Sequence, residues 1–190
     1  GEIDEGLALI TEVVPHIPVF FVTGNHEEGR SDRVEMVEEL RACGVAVLDN
    51  EGAAFQAAGQ RIEVLGFKDV AAFADRDDWV WAAGSPLKEG PVDRQAYRVV
   101  LSHRPEQVDF YNQLQAHLVL CGHAHGGQWR LPVIGGIFAP GQGLFPRFSR
   151  GIYTCGKKYP YHLIVSAGFA VHPLVPRIAN RPELVMVDIG

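Results

Sequence analysis

"HLVLCGHAHGGQ", residues 117–128, joins two unlike halves. Leu118 to Cys121 is a continuous apolar run, the composition of a strand covered on both faces, as in parallel sheets. After Gly122 come His123 and His125, two apart, and then Gly126 and Gly127. Residues two apart in extended backbone point the same way, and the glycines allow a tight turn with close backbone approach. Taken alone, the stretch also fits a plain turn that happens to carry histidines.

The same plan occurs twice more. "PVFFVTGNHE" (18–27) runs from a β-prone apolar segment, Val19 to Val22, through Gly24 to Asn25 and His26. "YRVVLSHRPE" (97–106) ends on His103 and Arg104. Singly, Asn25-His26 reads as turn chemistry and His103 as a strand end. In open α/β sheets, however, ligands gather outside the carboxyl ends of the strands. Asn25, His26, His103, His123 and His125 are therefore expected to converge. Imidazoles suit borderline transition metals, and an asparagine amide is a neutral oxygen ligand. At that spacing His123 and His125 could each reach one of two neighbouring ions, and such a pair can clamp a phosphoryl group between them.

The remaining segments read as α/β in front and mostly β behind. "DEGLALITEVVPHIP" predicts a helix capped by Asp4 and stopped by Pro15. "SDRVEMVEELRACG" predicts a second, with an Asp32/Glu35 capping box, Val34, Val37 and Leu40 on one face, and Gly44 as the stop. "AAFQAAG" and "RIEVLGF" form a hairpin around Gly59–Gln60. Residues 69–96 are a polar insertion with one short helix near Asp75–Ala82. "PEQVDFYNQLQA" is helical, and "WRLPVI", "GIYTC", "HLIVSAG" and "ELVMVDI" are strands. With no repeat or linker, residues 1–190 form a single domain.

Bulk properties narrow the function. No run approaches the roughly 18 apolar residues of a membrane span. Cys43, Cys121 and Cys155 lie far apart without a CxxC pair, which argues against a disulfide framework or a zinc ribbon. The net charge of −6 divides unevenly: residues 1–51 carry 12 acids and 3 bases, the rest 11 acids and 14 bases. An acidic chain offers no long nucleic-acid groove. Arg147, Arg150, Lys157 and Lys158, with no acid among them, suit either a phosphate contact or a solvated loop. Phe138, Leu144, Phe145 and Phe148 suit either contact with a membrane or lipid, or packing beneath the loop.

In their order, "GNHE", "SHRPE" and "GHAHGGQ" resemble the calcineurin-like metallophosphoesterases. The run through "GGIFAPGQGLFPR" to "VSAGFAVHPLVPRIANRPEL" is similar to that superfamily's bacterial single-domain, phosphodiesterase-type branch. The resemblance covers most of residues 18–190. It implies an α/β/β/α sandwich and hydrolysis of phosphomonoesters or phosphodiesters, small phosphorylated substrates, through a dinuclear metal centre with a bridging hydroxide. The two divalent ions are Mn, Fe, Zn or Co. It further implies that Asn25, His103 and His123 ligate one metal and His125 the other. His26 then contacts phosphate and protonates the leaving oxygen, a role that suits imidazole; apart from the resemblance, Arg104 is read as a candidate substrate-side contact of such an enzyme.

That superfamily also uses an Asp-x-His and a Gly-Asp-x-x-Asp motif, and neither occurs in these 190 residues. A buried parallel strand at Val19–Val22, entered from a helix, calls for an earlier parallel strand. The expectation is a longer protein whose N-terminal part supplies the missing aspartates. The alternatives are a phosphoesterase-fold scaffold that binds a partner protein, and a single-metal site built on Asn25, His103 and His123. Localisation is not readable; membrane association stays open.

Overall fold

The computed structural model describes residues 2–84, 95–169 and 175–189. Helix α1 (Glu2–Val13) leads to strand β1 (Phe20–Phe21), helix α2 (Asn25–Glu28) and helix α3 (Arg33–Ala42). Strands β2 (Ala46–Val47), β3 (Glu51–Ala57) and β4 (Gln60–Gly66) precede helix α4 (Arg76–Ala83). Then come β5 (Tyr97–Leu101), α5 (Val108–Tyr111), β6 (Leu118–Cys121) and four short strands. These are β7 (Arg130–Leu131), β8 (Gly135–Gly136), β9 (Phe138–Ala139) and β10 (Gly143–Leu144). The hairpin β11 (Gly151–Cys155) and β12 (Tyr161–Val165) follows.

Six strands form the main sheet in the order β11-β12-β6-β5-β4-β3. The inner four are parallel, and β11 and β3 pair antiparallel at the two edges. The inner strands carry the apolar runs because both faces of the sheet are covered. On one face Val100, Val119 and Leu163 pack with Trp79 of α4 and Phe110 of α5. On the other, Ile62, Val64, Val99 and Leu118 meet Phe20, Val22 and Ala46. Those three belong to a second layer, in which β1 pairs parallel with β2. Alternation along β1 turns Phe21 outward against Met36, Val37 and Leu40 of α3. The layers are therefore helix, small sheet, large sheet, helix: a mixed α/β sandwich. An apolar cavity of about 480 Å³ opens between the sheets, lined by Phe20, Phe55, Leu118, Leu120, Val187 and Ile189 among others.

Several expectations require correction. Asp4 lies inside α1 instead of capping it, since the helix starts at Glu2. Asp32 stands at the N-cap of α3 but makes no capping bond, because its carboxylate is held by Arg30 at 2.6 and 2.8 Å. Val34 is exposed, while Met36 joins Val37 and Leu40 in the core. "PEQVDFYNQLQA" gives only the one-turn α5. The hairpin turn is Ala58–Gly59, both at positive φ, one residue earlier than expected. "WRLPVI" shrinks to β7, and residues 183–189 form no strand. The insertion's helix does form, capped by Asp75, whose side chain accepts from the Asp78 amide at 2.9 Å.

Candidate metal centre

Register in the parallel strands aligns their carboxyl ends: Gly66 pairs with Leu101, Leu101 with Leu120, and Cys121 with Val165. The ladder continues past them, Gly122 N–H donating to the His103 carbonyl at 3.1 Å. His103 and the His123 loop are thereby held side by side. Asn25 arrives from the second layer as the first residue of α2. That short helix is fixed by the Glu27 carboxylate, which accepts from the Gly24 amide at 2.8 Å. It is also fixed by Glu28, ion-paired to Arg33 of α3 at 2.8 Å.

Three donor atoms meet at this point. Asn25 Oδ1 lies 2.9 Å from His103 Nε2 and 3.0 Å from His123 Nδ1, and the two ring nitrogens are 3.1 Å apart. Hydrogen bonding accounts poorly for this triangle. The amide oxygen only accepts, and two imidazole nitrogens facing each other need opposite protonation to attract. His123 Nε2 is buried without a hydrogen-bond partner, so the other side of that ring offers no protein acceptor to fix a tautomer. One cation at the centre satisfies all three atoms. Ligands at about 2.1 Å from an ion and at right angles stand about 3.0 Å from one another. The residues fit a metal ion.

Electrostatics agree. Burial pushes His123 down to about 3, with the charges of His103 and Arg104 adding to the effect. Burial also lowers His103, outweighing the opposing pull of Asp69 and Glu27. Both rings are thus neutral at physiological pH, the form in which imidazole binds metal. Positive charge on His125 adds to the lowering of both. Among the described residues no group of three or more His, Cys, Asp or Glu surrounds a common point. The third member of the triangle is an amide.

Backbone geometry aims the rings. His123 and His125 both have positive φ, 61° and 47°, a sparsely populated conformation that costs of order 1 kcal/mol or more each. The carbonyls of His125 and Gln128 accept from Asn180 Nδ2 at 2.6 and 3.2 Å. Gly24 is required by a close approach: a Cβ there would lie 2.6 Å from His103 Cε1.

The sequence reading placed Asn25, His103 and His123 together, and they are together. His26 follows Asn25 on α2 and is exposed. Arg104 is not free: its Nε and Nη2 grip Asp69 at 2.8 to 3.1 Å. Asp69 was missed, although it follows β4 as the histidines follow β5 and β6, and that position was the available signal. The basic run also divides. Arg150 adjoins the start of β11, whereas Lys157 and Lys158 sit in the turn at the opposite end of that strand.

Fold and site together define a class, an α/β sandwich whose strand ends bring a histidine-asparagine donor triangle together. The chain is a homologue of metallophosphoesterases, in accord with the calcineurin-like superfamily its motifs resemble. It is 28% identical over 176 residues to phosphodiesterase YaeI of Escherichia coli, covering 90% of this chain and 58% of that protein. It is 27% identical over 172 residues to the uncharacterized metallophosphoesterase YkuE of Bacillus subtilis, covering 88% and 54%. With the putative metallophosphoesterase F40B5.2 of Caenorhabditis elegans it shares 31% identity over 157 residues, covering 79% and 30%. The chain thus spans little more than half the length of the first two. No family model matches it, and no solved structure does.

Proposed function

We propose that this chain carries the histidine-rich half of a metal-dependent phosphoesterase, hydrolysing phosphomonoesters or phosphodiesters at a dinuclear centre. The observation that carries the reading is the triangle of Asn25 Oδ1, His103 Nε2 and His123 Nδ1, closed to within 3.1 Å. When bound, divalent ions supply Lewis-acid charge and activate water at neutral pH; the donors suit Mn, Fe, Zn or Co.

Asn25, His103 and His123 hold one ion and His125 the other. As metal ligands all four would be neutral donors, so carboxylates would be needed to balance two dications. Two carboxylates felt by His103 are already engaged, Asp69 by Arg104 and Glu27 by the Gly24 amide. Exposed His26, next to Asn25, protonates the leaving oxygen. Arg104, oriented by Asp69, adds positive charge on the substrate side.

The test is metal content by elemental analysis together with hydrolysis of p-nitrophenyl phosphate and its bis ester, before and after chelation. Hydrolysis that needs the metal and is lost in His123→Ala is expected. Hydrolysis indifferent to chelation overturns the reading. One bound ion per chain or none, without hydrolysis, would favour the scaffold.

A further inference from the structure

The strands β7 to β10 form a small lobe built onto the His125–Gln128 turn: Ile137 N–H donates to the carbonyls of Gly127 and Trp129, at 3.1 and 2.8 Å. Two facts about this lobe do not serve folding. First, its apolar side chains face water: Leu131, Val133, Ile134, Phe138, Leu144 and Phe145 are all exposed, the last two by 69% and 64%. They are contributed by two adjoining hairpins, β7–β8 and β9–β10, so they crowd one lobe instead of being scattered. Exposed apolar residues are ordinary singly and informative when clustered. Second, Val133 adopts φ 70° and Phe145 φ 54°. A β-branched residue is the worst choice for that conformation, and glycine or asparagine would ease it. Val133 is fully exposed, so no packing compensates the strain.

Charge indicates what the lobe meets. Between Asp109 and Glu183 there is no acidic residue, while seven Arg or Lys occur. Arg130 lies in β7, half-buried, with Nη1 donating to the Gly126 carbonyl at 2.7 Å and the rest of its guanidinium left for the lobe, and exposed Arg147 follows Phe145 by two positions with its guanidinium over the Phe148 ring. A carboxyl that meets the lobe, Glu106 beneath Gly141, is turned inward with its Oε2 buried. Lys157 and Lys158 lie at the far end of β11 and take no part. Apolar tips flanked by guanidinium groups suit an interface of acyl chains and anionic headgroups. No helix among the described residues is long and apolar enough to cross a membrane.

We propose that the lobe is a docking surface for an anionic phospholipid bilayer. The Val133–Ile134 and Leu144–Phe145 tips enter the headgroup boundary, and Arg130 and Arg147 meet lipid phosphates. Docking brings the turn that carries His125 to the membrane surface. The inference does not depend on the phosphoesterase reading.

Sedimentation with vesicles of phosphatidylcholine, with and without phosphatidylglycerol, tests it. The purified protein is expected to sediment with the anionic vesicles and to be released by salt. The triple variant Val133→Ser, Leu144→Ser, Phe145→Ser is expected to bind about tenfold more weakly or worse. Those substitutions replace exposed side chains, so an unchanged Tm confirms folding. Arg147→Glu is expected to weaken binding to anionic vesicles alone. Failure to bind either vesicle overturns the proposal, as does equal binding of both or a triple variant that binds like the parent. If the triple variant instead dissociates a lipid-free oligomer seen by light scattering, the lobe is a protein interface and the proposal falls.

Discussion

At the scale of single residues, the site rests on close approaches that small changes disturb. Gly24→Ala places a methyl group 2.6 Å from His103 Cε1, so the ring must move. The expected outcome is a stability loss of about 1–3 kcal/mol and metal affinity about 10–100-fold weaker, measured by urea unfolding and competitive metal titration. Asp69 acts at one remove. Burial drives its carboxyl upward, but the Arg104 hydrogen bonds, the Ala71 amide and the Arg104 charge outweigh that and hold it below the usual 3.8. A depressed folded-state value means the stabilisation is present above pH about 4 and is lost as pH falls through the lower value. Asp69→Asn should remove that acid dependence and leave Arg104 half-buried without its partner, at a cost of about 3 kcal/mol near neutrality. Thermal melts of both proteins from neutral to strongly acid pH check it; parallel curves would remove Asp69 from its role.

At the scale of elements, what the sequence made legible was strand ends. Val99 and Val100 are buried from opposite faces of the sheet, as are Leu118 and Val119, so continuous apolar runs marked the central parallel strands. The histidines just past them could then be grouped. Pairings between distant side chains left no such trace: Asp69 and Arg104 are 35 positions apart, and no period links them. Capping was misread at Asp32 for a similar reason, because Arg30 competes for its carboxylate. Residues 183–189 have the alternation of a strand, yet alternation reports which face is covered, not whether a neighbour supplies hydrogen bonds. The β3–β4 hairpin offers a test separate from the site. Its turn places Ala58 at φ 50° ahead of Gly59 at 79°, the left-handed pair that asparagine-glycine supplies best. Ala58→Asn is expected to stabilise the chain by about 0.5–1 kcal/mol without altering metal binding; a lower urea midpoint would contradict the turn geometry.

At the scale of the whole molecule, the two layers differ in how complete they are. Among the described residues the large sheet has six strands and apolar contacts on both faces, while the layer over it holds β1 and β2 as a sheet. The C-terminal segment lies over the same apolar face: Val187 and Ile189 line the cavity together with Phe20. Along that segment Val185, Val187 and Ile189 are 38 to 39% exposed, whereas Leu184 and Met186 are 83% and 93% exposed. Odd positions therefore face the sheet and even positions face solvent, the signature of a strand laid on a core without a ladder partner among the described residues. If that contact holds the tail in place, the two faces must respond differently to charge. Val187→Asp should cost about 1–2 kcal/mol, since it puts a carboxylate against apolar surface. Met186→Asp, one residue away, should stay within about 0.5 kcal/mol of the parent. Equal effects on the urea midpoint would show that the tail is not seated, and the cavity would lose that wall.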